Sequence, residues 1–421
     1  MKRCLVMITS GFPFGLGETY IESEIDFLKD RFDKVIILPV ELDPGAVPTR
    51  TVPQGVEYIN VSERKQKIAR AGDTVGGLKN LVFPTEYYKY DKKEIGLNFR
   101  RRMFFEYFCN RAVRSFGECL KALEKFDMSK YDSIMVYSYW FFVTALVGVM
   151  LKEHFSEFCS DVKLYSRAHR YDVYEDMNVL NYLPLRRYLL ENCDGVFPCS
   201  NSGTEHIARR YPEYADKIKT SYLGTMDAGI SYQSDDGLHI VSCSQMIDIK
   251  RVDRIIDVLE RFNGSEEYKI SWTHIGDGNR KNEIEKKARE RLGSIKTEFL
   301  GSISNHEVYE FYQNNPVDLF ISTSKSEGLP VSMMEAASFG IPIISTDVGG
   351  VGEIVRDGYN GCLLNENADP DEFANFIRRF YDMDRAERAV FRKNSRTLWE
   401  TRFDANKTYS EMFPAPMLSG S

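Results

Sequence analysis

The architecture of the protein can be read from the segment Val317-Asp-Leu-Phe-Ile-Ser-Thr-Ser-Lys-Ser-Glu-Gly-Leu-Pro-Val-Ser-Met-Met-Glu-Ala-Ala-Ser-Phe-Gly-Ile-Pro-Ile-Ile-Ser345. The apolar run over 317–322 predicts a strand, and a polar loop follows it. Pro330 suits the first turn of a helix, and Gly340 suits its end. The next apolar run, over 341–345, predicts another strand. The segment is therefore a strand–loop–helix–strand unit, which is typical of an α/β fold.

The N-terminus of the predicted helix over 330–339 faces the polar loop. Its free backbone N–H groups and the positive end of its dipole form an anion site. Glu327 lies in the loop and Glu335 lies inside the helix. Acids repel a phosphate, so if both line the site we expect them to bind hydroxyl groups; the alternative is a surface helix with one outward acid. Phosphate-binding amides beside hydroxyl-binding carboxylates describe a sugar-nucleotide site.

Length and composition predict a large soluble protein with two or three domains. The chain has 421 residues, a net charge of −7, 43% hydrophobic residues and 28% charged residues. This charge argues against a nucleic-acid partner. The eight cysteines form no C-x-x-C pair, which is typical of reduced thiols in a cytoplasmic protein. The apolar runs are too short for a signal peptide or a transmembrane span, so we expect neither.

Strand and helix patterns alternate in both halves of the chain, which predicts two doubly wound parallel sheets. Residues 223–237 have the composition of a linker. We therefore predict an N-terminal domain over 1–224 and a C-terminal domain over 225–395. The expected strands lie at 3–9, 132–137, 162–167, 194–199, 238–243, 269–275, 296–300, 317–322, 341–346 and 361–364. The end of the chain, from Pro414, is predicted to be disordered.

Several strand ends carry candidate ligand residues, because ligands of open α/β sheets bind at the carboxyl ends of strands. Ser10-Gly-Phe-Pro-Phe-Gly-Leu-Gly17 follows the first strand and is either a ligand loop or a tight turn. Arg167, His169 and Asp172 lie at another strand end. Ile275-Gly-Asp-Gly278 is either a nucleotide contact or a turn. Lys250 and Arg251 follow a strand and either neutralise a diphosphate or are two solvated bases.

Three strings resemble a known family. S-E-G-L-P-V-S-M-M-E-A over 326–336, followed by G-x-P-I-I-x-T-D-V-G-G over 340–350, resembles the E-x7-E region of the retaining glycosyltransferases of family 4, which have the GT-B fold. F-P-x-x-x-G-E-T-x-x-x-x-E-I over 12–25 and R-A-H-x-Y-D-x-Y over 167–174 resemble two further segments of these enzymes. The resemblance implies two Rossmann-like domains that face a central cleft. It also implies that the C-terminal helix over 396–421 packs back on the first domain.

The resemblance implies roles for individual residues. Glu327, His169 and Lys250 are the expected catalytic residues: Glu327 binds sugar hydroxyls, His169 contacts the donor sugar and Lys250 neutralises the diphosphate. Glu335 is expected to bind the ribose. The other expected donor contacts are Gly15, Gly17, Arg251, Gly276, Ser302, Gly328, Leu329, Pro330 and Val331. The acceptor-side candidates are Glu18, Arg167 and Asp172. The family's usual arginine before the lysine is replaced by Gln245, which leaves open whether Arg251 compensates.

The implied activity is the retaining transfer of a sugar from a nucleoside diphosphate, with UDP expected, to a glycan or lipid-linked glycan. The implied setting is bacterial surface-polysaccharide biosynthesis, such as that of a capsule or exopolysaccharide. No D-x-D pair lies at a strand end, so we expect neither a metal nor a cofactor. A sugar-nucleotide epimerase and a non-catalytic sugar-nucleotide-binding protein are the alternatives. A dehydrogenase is disfavoured, because neither half has the glycine fingerprint of dinucleotide binding.

The segment 61–130 differs in charge from the rest of the chain. It has 16 Lys and Arg against 9 Asp and Glu, and Leu97-Asn-Phe-Arg-Arg-Arg-Met-Phe-Phe-Glu-Tyr-Phe108 mixes basic and aromatic residues. One hypothesis is a charged, solvated helix. The other is a patch that lies on an anionic membrane or holds a lipid-phosphate acceptor, with Arg100, Arg101 and Arg102 as the contacts. The second hypothesis places a cytoplasmic protein at the inner face of the plasma membrane.

Overall fold

The computed structural model describes residues 1–413, except residues 16, 19, 63–64 and 82–84. Leu16 of the predicted ligand loop, Thr19 of the motif over 12–25 and the predicted disordered end from Pro414 lie outside the described residues. Two compact units divide the chain. Unit 1 contains Met1–Tyr222 and the residues from Tyr409 onward, and unit 2 contains Leu223–Thr408.

Unit 1 is built on a parallel sheet of six strands in the order β3-β2-β1-β4-β5-β6. The strands are β1 (Arg3–Thr9), β2 (Lys34–Pro39), β3 (Val56–Tyr58), β4 (Ser133–Ser138), β5 (Asp161–Ala168) and β6 (Gly195–Pro198). The described helices are α1 (Ile21–Leu28), α2 (Gln66–Asn80), α3 (Tyr88–Ile95), α4 (Phe99–Leu123), α5 (Val143–Ser156), α6 (Arg186–Asn192) and α7 (Asn201–Arg210). Residues 4–9 of β1 are all buried, as expected for a central strand covered on both faces.

Unit 2 is built on a second parallel sheet of six strands, in the order β12-β11-β10-β7-β8-β9. The strands are β7 (Leu238–Cys243), β8 (Ile270–Ile275), β9 (Lys296–Gly301), β10 (Leu319–Ser322), β11 (Ile343–Thr346) and β12 (Gly361–Leu364). The described helices are α8 (Val252–Leu259), α9 (Lys281–Arg291), α10 (Asn305–Asn314), α11 (Val331–Ser338), α12 (Val351–Ile354), α13 (Pro370–Asp382) and α14 (Arg385–Arg402). A last helix, α15 (Ala405–Met412), begins in unit 2, and its residues from Tyr409 belong to unit 1.

Both strand orders are those of a doubly wound sheet. The order reverses between β1 and β4 in unit 1, and between β7 and β10 in unit 2. Ligands of such sheets bind outside the carboxyl ends of the strands at this point. The loops that follow these four strands are therefore the places where each unit can hold a ligand.

Unit 2 extends further toward the C-terminus than the predicted C-terminal domain. Residues 396–408 were expected to pack on the first domain, but they belong to unit 2. Trp399 is fully buried and its indole N–H donates to Thr225 Oγ1 at 2.7 Å. Arg396 forms an ion pair with Asp227. These contacts tie α14 to the first residues of unit 2, and the chain rejoins unit 1 only at Tyr409.

The basic segment is not a solvated helix. Helix α4 buries Phe105, Phe108 and Cys109 in the core of unit 1. Arg101 donates to the backbone oxygens of Glu94, Leu180 and Asn181, and Arg102 pairs with Glu106 at 2.7 Å. Two of the three arginines expected at a membrane, Arg101 and Arg102, therefore have structural contacts within unit 1. Within the described ranges, no helix has both the length and the hydrophobicity of a membrane span.

Candidate functional site

Lys250 and Glu327 form an ion pair where the strand order of unit 2 reverses. Lys250 ends a 3-10 turn that follows β7, and Glu327 lies in the loop that follows β10. The Lys250 Nζ lies 2.7 Å from each carboxylate oxygen of Glu327. The two side chains are 23% and 8% exposed. The structure thus brings together two residues that the sequence predicted separately, and their charges compensate one another.

The glycine-rich return at 349–350 holds the backbone of Glu327 and Gly328. The Gly350 N–H donates to Gly328 O at 2.7 Å. Gly349 has a φ of 58°, and a Cβ on it would lie 1.9 Å from Glu327 O. Only glycine therefore permits this close approach. The glycines of the segment 340–350 therefore position the loop of the segment 326–336. The sequence alone did not predict this role.

Helix α11 begins beside this loop. Pro330 occupies the N-cap position, and no side chain caps the helix among the described residues. Leu329 is buried at 7% exposure, and Val331 opens the helix. The uncapped N-terminus retains the amide groups that can bind an anion.

Glu335 lies inside α11 and is buried at 5% exposure. Its Oε1 accepts a 2.5 Å hydrogen bond from the side-chain amide of Asn305. Burial raises the pKa of Glu335 to about 7. Burial, and then the charge of Glu335, raise the pKa of Cys243, at the end of β7, to about 12, while the charge of Lys250 acts in the opposite direction.

Arg251 does not fit its expected contact with the diphosphate. Its guanidinium donates to three backbone oxygens, those of Thr323 at 2.7 Å, Ser324 at 3.0 Å and Glu366 at 2.8 Å. The side chain joins the loops after β7, β10 and β12, so its role is structural. Gln245, at the position of the family's usual arginine, is exposed. Arg251 thus does not compensate for the missing arginine.

The two remaining donor candidates of unit 2 differ in role. Gly276 has a φ of 141°, and a Cβ on it would lie 1.9 Å from Ser244 O. Close packing of the ends of β7 and β8 therefore accounts for this glycine. Ser302 follows β9 and is exposed, so its expected donor contact stays a prediction.

In unit 1, Glu18 is not available to an acceptor. Its carboxylate accepts hydrogen bonds from the backbone N–H groups of residues 10, 11 and 12 at 3.0, 2.8 and 2.7 Å, and from the Trp140 indole at 2.7 Å. Four donors saturate the two oxygens. Glu18 therefore shapes the loop after β1. Gly15 and Gly17 also lie in this loop, and a Cβ on either residue would meet no atom of the described residues within 4 Å. Their predicted contacts therefore stay predictions.

Arg167 and Asp172 are also structural. Arg167 is fully buried and forms an ion pair with Glu24 at 3.1 Å. Glu24 also accepts hydrogen bonds from Tyr137 and Tyr139. Asp172 is fully buried and accepts from the backbone N–H groups of residues 141 and 169 at 2.5 Å each. The expected acceptor-side roles of Arg167 and Asp172 are therefore wrong, because an ion pair and hydrogen bonds within unit 1 engage these side chains.

His169 lies in an aromatic cage at the end of β5. Its ring centroid is 4.6 Å from that of Trp140 and 5.4 Å from those of Tyr20 and Tyr139. Its Nε2 lies 3.2 Å from Tyr139 O, so this nitrogen carries the proton. Burial, and then the charge of Arg167, lower the pKa of His169 to about 3. The ring is neutral at neutral pH and 8% exposed; its contact with the donor sugar stays a prediction.

Among the described residues, no group of three His, Cys, Asp or Glu side chains is placed to hold a metal ion. The expected independence from metals and cofactors stays a prediction. Lys250 and the α11 N-terminus are the groups that could balance an anionic ligand in unit 2.

Two solved structures are similar to this chain over nearly its whole length. Anabaena HepE in complex with UDP matches 98% of this chain and 98% of its own, with a TM-score of 0.65 and 16% identity. The apo form of the lipopolysaccharide outer core galactosyltransferase WaaB matches 99% of both chains, with a TM-score of 0.64 and 18% identity. These likenesses confirm the predicted α/β fold class of the GT-B type.

The sequence matches are more local. An uncharacterised glycosyltransferase of Methanocaldococcus jannaschii is 26% identical over 234 residues, which are 55% of this chain and 61% of the relative. The O-antigen biosynthesis glycosyltransferase WbnH of Escherichia coli is 35% identical over 122 residues, which are 28% of this chain and 35% of the relative. The chain thus spans a third to three fifths of these relatives. The family model of glycosyl transferases group 1 matches residues 231–398, which include Lys250, Glu327 and Glu335. This part of the chain is therefore similar to the glycosyl transferases group 1 family.

Proposed function

We propose that the chain transfers a sugar from a nucleoside diphosphate, with UDP as the expected nucleotide, to a glycan or lipid-linked glycan, with retention of anomeric configuration. The observation that carries this proposal is the Lys250–Glu327 pair beside the uncapped N-terminus of α11. A cation and helix amides suit a diphosphate, and a carboxylate suits sugar hydroxyls. These groups lie where a doubly wound sheet binds its ligand.

The ion pair implies that Lys250 and Glu327 bind different parts of the donor. The diphosphate competes with Glu327 for Lys250, which frees carboxylate oxygens to accept hydrogen bonds from sugar hydroxyls. In the transfer step, the acceptor hydroxyl forms a bond to the anomeric carbon while the bond from that carbon to the diphosphate breaks. The acceptor proton passes to a leaving diphosphate oxygen. Lys250 and the α11 amides stabilise the growing negative charge, without a metal or cofactor.

Glu335 is proposed to bind the ribose. Its raised pKa of about 7 leaves it partly protonated at neutral pH, so it can donate as well as accept a hydrogen bond. The names of the related proteins support the setting. HepE was solved with UDP, WaaB is a lipopolysaccharide galactosyltransferase and WbnH acts in O-antigen biosynthesis. We place this chain in bacterial surface-polysaccharide assembly as a hexosyltransferase.

The experiment is a transfer assay with the full chain, a panel of nucleotide sugars and lipid-linked or free glycan acceptors. The proposal expects a product with the donor's anomeric configuration by NMR, formed without added metal and in the presence of a chelator. An epimerase would convert the donor without an acceptor. A binding protein would shift its melting temperature with UDP but release no product. Either of these two results would overturn the transferase assignment.

The exposed face of α2 suits a peripheral membrane contact. Ile68, Val75 and Leu78 are 60%, 55% and 47% exposed, and their spacing puts them on one helix face. The exposed basic residues of the helix are Lys67, Arg70 and Lys79. The acid of α2, Asp73, is buried and bound by Arg114. Apolar residues flanked by bases, without an exposed acid, are typical of helices that lie on anionic membranes.

This surface replaces the arginines at 100–102 as the proposed membrane contact. Val75→Glu should abolish co-sedimentation with phosphatidylglycerol vesicles. Val390→Glu, on α14 of unit 2, is the matched control, because Val390 is 56% exposed and lies outside this surface. Equal vesicle binding by both variants would rule out the α2 face.

A further inference from the structure

Unit 1 contains a cavity of about 340 Å³ at the carboxyl edge of its sheet. This volume falls in the range of small-molecule sites. Its walls come from the loops after β1, β2, β4 and β5 and from α4 and the start of α5. The lining residues are Ser10, Glu41, Arg111, Trp140, Phe142, Val143, Thr144 and Tyr171. Because β1 and β4 are the strands between which the order reverses, the cavity occupies the ligand position of a doubly wound sheet.

One wall of the cavity consists of three aromatic side chains, Trp140, Phe142 and Tyr171. The rings of Phe142 and Tyr171 meet edge to face at 5.7 Å. Phe142 is supported from behind by the core residue Phe108 at 5.0 Å. The Trp140 indole is held by its hydrogen bond to Glu18. The wall is therefore fixed in place, while Tyr171 remains 47% exposed and open to a ligand.

Polar residues also line the cavity. Arg111 of α4 forms an ion pair with Glu41, which follows β2, and their side chains are 15% and 27% exposed. The Ser10 side chain lies at the same cavity. A guanidinium donates hydrogen bonds and a carboxylate accepts them, so the pair can engage two neighbouring hydroxyl groups.

We propose that this cavity binds a pyranose ring of the glycan acceptor. The apolar face of the ring would rest on Trp140 and Tyr171, and its hydroxyls would reach the Glu41–Arg111 pair. A site with an aromatic wall and a few polar groups suits a ligand that has both an apolar face and a hydroxylated edge. The assignment rests on the proposed transferase function and makes the acceptor a sugar residue.

The aromatic wall also takes the place of the residues first expected on the acceptor side. The charges of Glu18, Arg167 and Asp172 are used inside unit 1, as described above. Glu18 contributes to the cavity indirectly, since it holds the indole of Trp140 and the backbone of Ser10. It is a positioning residue for the proposed site.

The test uses the intrinsic fluorescence of the full chain. The chain has three tryptophans; Trp272 and Trp399 are buried in unit 2 at 1% and 0% exposure, and Trp140 lines the cavity. Methyl glycosides of hexoses, N-acetylhexosamines and uronic acids are the probes, because they do not absorb at the excitation wavelength. We expect at least one glycoside to change the fluorescence saturably. Tyr171→Ala should raise its Kd at least about tenfold, as expected for a lost ring contact.

Phe158→Ala is the matched control. Phe158 is also an exposed aromatic of unit 1, at 44%, but it follows the far end of α5. This variant should bind the glycoside as the wild type does. If no glycoside changes the fluorescence, if Tyr171→Ala binds like Phe158→Ala, or if uridine gives the saturable change instead, the sugar assignment is overturned.

Donor binding is measured in the same preparations by the melting-temperature shift with UDP. A wild-type protein that binds UDP and transfers sugar, but whose acceptor KM is unchanged in Tyr171→Ala, would refute the cavity assignment and leave the transferase proposal intact. A protein that binds glycosides through Tyr171 but neither binds UDP nor transfers sugar would refute the transferase proposal. The two failures are therefore distinguishable.

Discussion

The ammonium group of Lys250 lies 2.7 Å from both carboxylate oxygens of Glu327, across 77 residues of sequence. A partly buried pair of this kind is more than a surface salt bridge, because removal of one partner leaves the other charge without compensation. The pair also connects the loops that follow the neighbouring strands β7 and β10 of unit 2. It therefore keeps a phosphate-binding cation and a hydroxyl-binding acid together before the donor arrives.

Glu327→Gln should separate the two roles. The variant removes the negative charge that competes for Lys250, so UDP should bind at least as tightly as in the wild type. Sugar transfer should fall by about a hundredfold, because the acid that holds the sugar is gone. Asp236→Asn, which breaks the exposed Lys269–Asp236 pair of the same unit, is the control in both assays. Transfer at the wild-type rate would remove Glu327 from the mechanism.

Gly349→Ala tests the support of the Glu327 loop. Gly349 has a φ of 58°, and a Cβ built on it would lie 1.9 Å from Glu327 O. Both features should make alanine at this position destabilising. Gly264→Ala is a matched comparison, since Gly264 also has a positive φ of 80° but nothing within 4 Å of a Cβ. We expect Gly349→Ala to cost about 1–3 kcal/mol more unfolding free energy than Gly264→Ala. We also expect it alone to impair transfer; equal costs in urea unfolding would argue against the steric account.

The raised pKa of Glu335 predicts a pH-dependent stability. Its pKa is raised from 4.5 to about 7 by burial, so between these values the folded chain keeps a proton that the unfolded chain has lost. The stability from this group is complete below about pH 4.5 and is lost as the pH rises to about 7. The loss is at most about 3 kcal/mol, from 1.36 kcal/mol per pKa unit.

Glu335→Gln should therefore melt higher than the wild type at about pH 8 and at a similar temperature at about pH 5. Glutamine keeps the volume and can still accept the hydrogen bond from Asn305. Glu290→Gln, at a side chain 62% exposed, should show no such pH dependence. A difference in Tm that is the same at both pH values would contradict a buried, partly protonated Glu335.

Arg251→Lys separates a structural role from phosphate binding. Lysine cannot reproduce the hydrogen bonds to the backbone oxygens of Thr323, Ser324 and Glu366, so unfolding free energy should fall by about 1–3 kcal/mol. UDP affinity should change by less than about threefold, relative to the exposed control Arg289→Lys. A large loss of UDP affinity without a change in stability would assign Arg251 to the diphosphate.

The fold could be predicted well where local pattern and tertiary context agree. All six strands of unit 2 were predicted within two residues of their observed bounds, because each is a short apolar run between turn residues. Strands β2 and β3 and helices α2 and α3 were not predicted. Strand β3 has only three residues, two of them exposed, so it leaves almost no hydrophobic pattern.

The site was harder to predict, because a charged residue at a strand end has the same sequence signal whether it binds a ligand or a neighbour. Arg251 and Arg167 have the expected positions, but backbone oxygens in one case and Glu24 in the other occupy their guanidinium groups. The run Tyr139-Trp-Phe-Phe142, directly after β4, was a usable signal for the aromatic cavity. A cluster of aromatics at the carboxyl end of a central strand should be considered with the charged residues.

The most direct measurement is an isothermal titration of UDP into three proteins: the wild type, Lys250→Met and Lys269→Met. Lys269 also pairs with a carboxylate in unit 2, but its side chain is 63% exposed and lies away from α11 in sequence. We predict that UDP binds the wild type and Lys269→Met with the same Kd, and that Lys250→Met binds at least about tenfold more weakly. If Lys250→Met binds UDP as tightly as the wild type does, the nucleoside-diphosphate site is not at the Lys250–Glu327 pair.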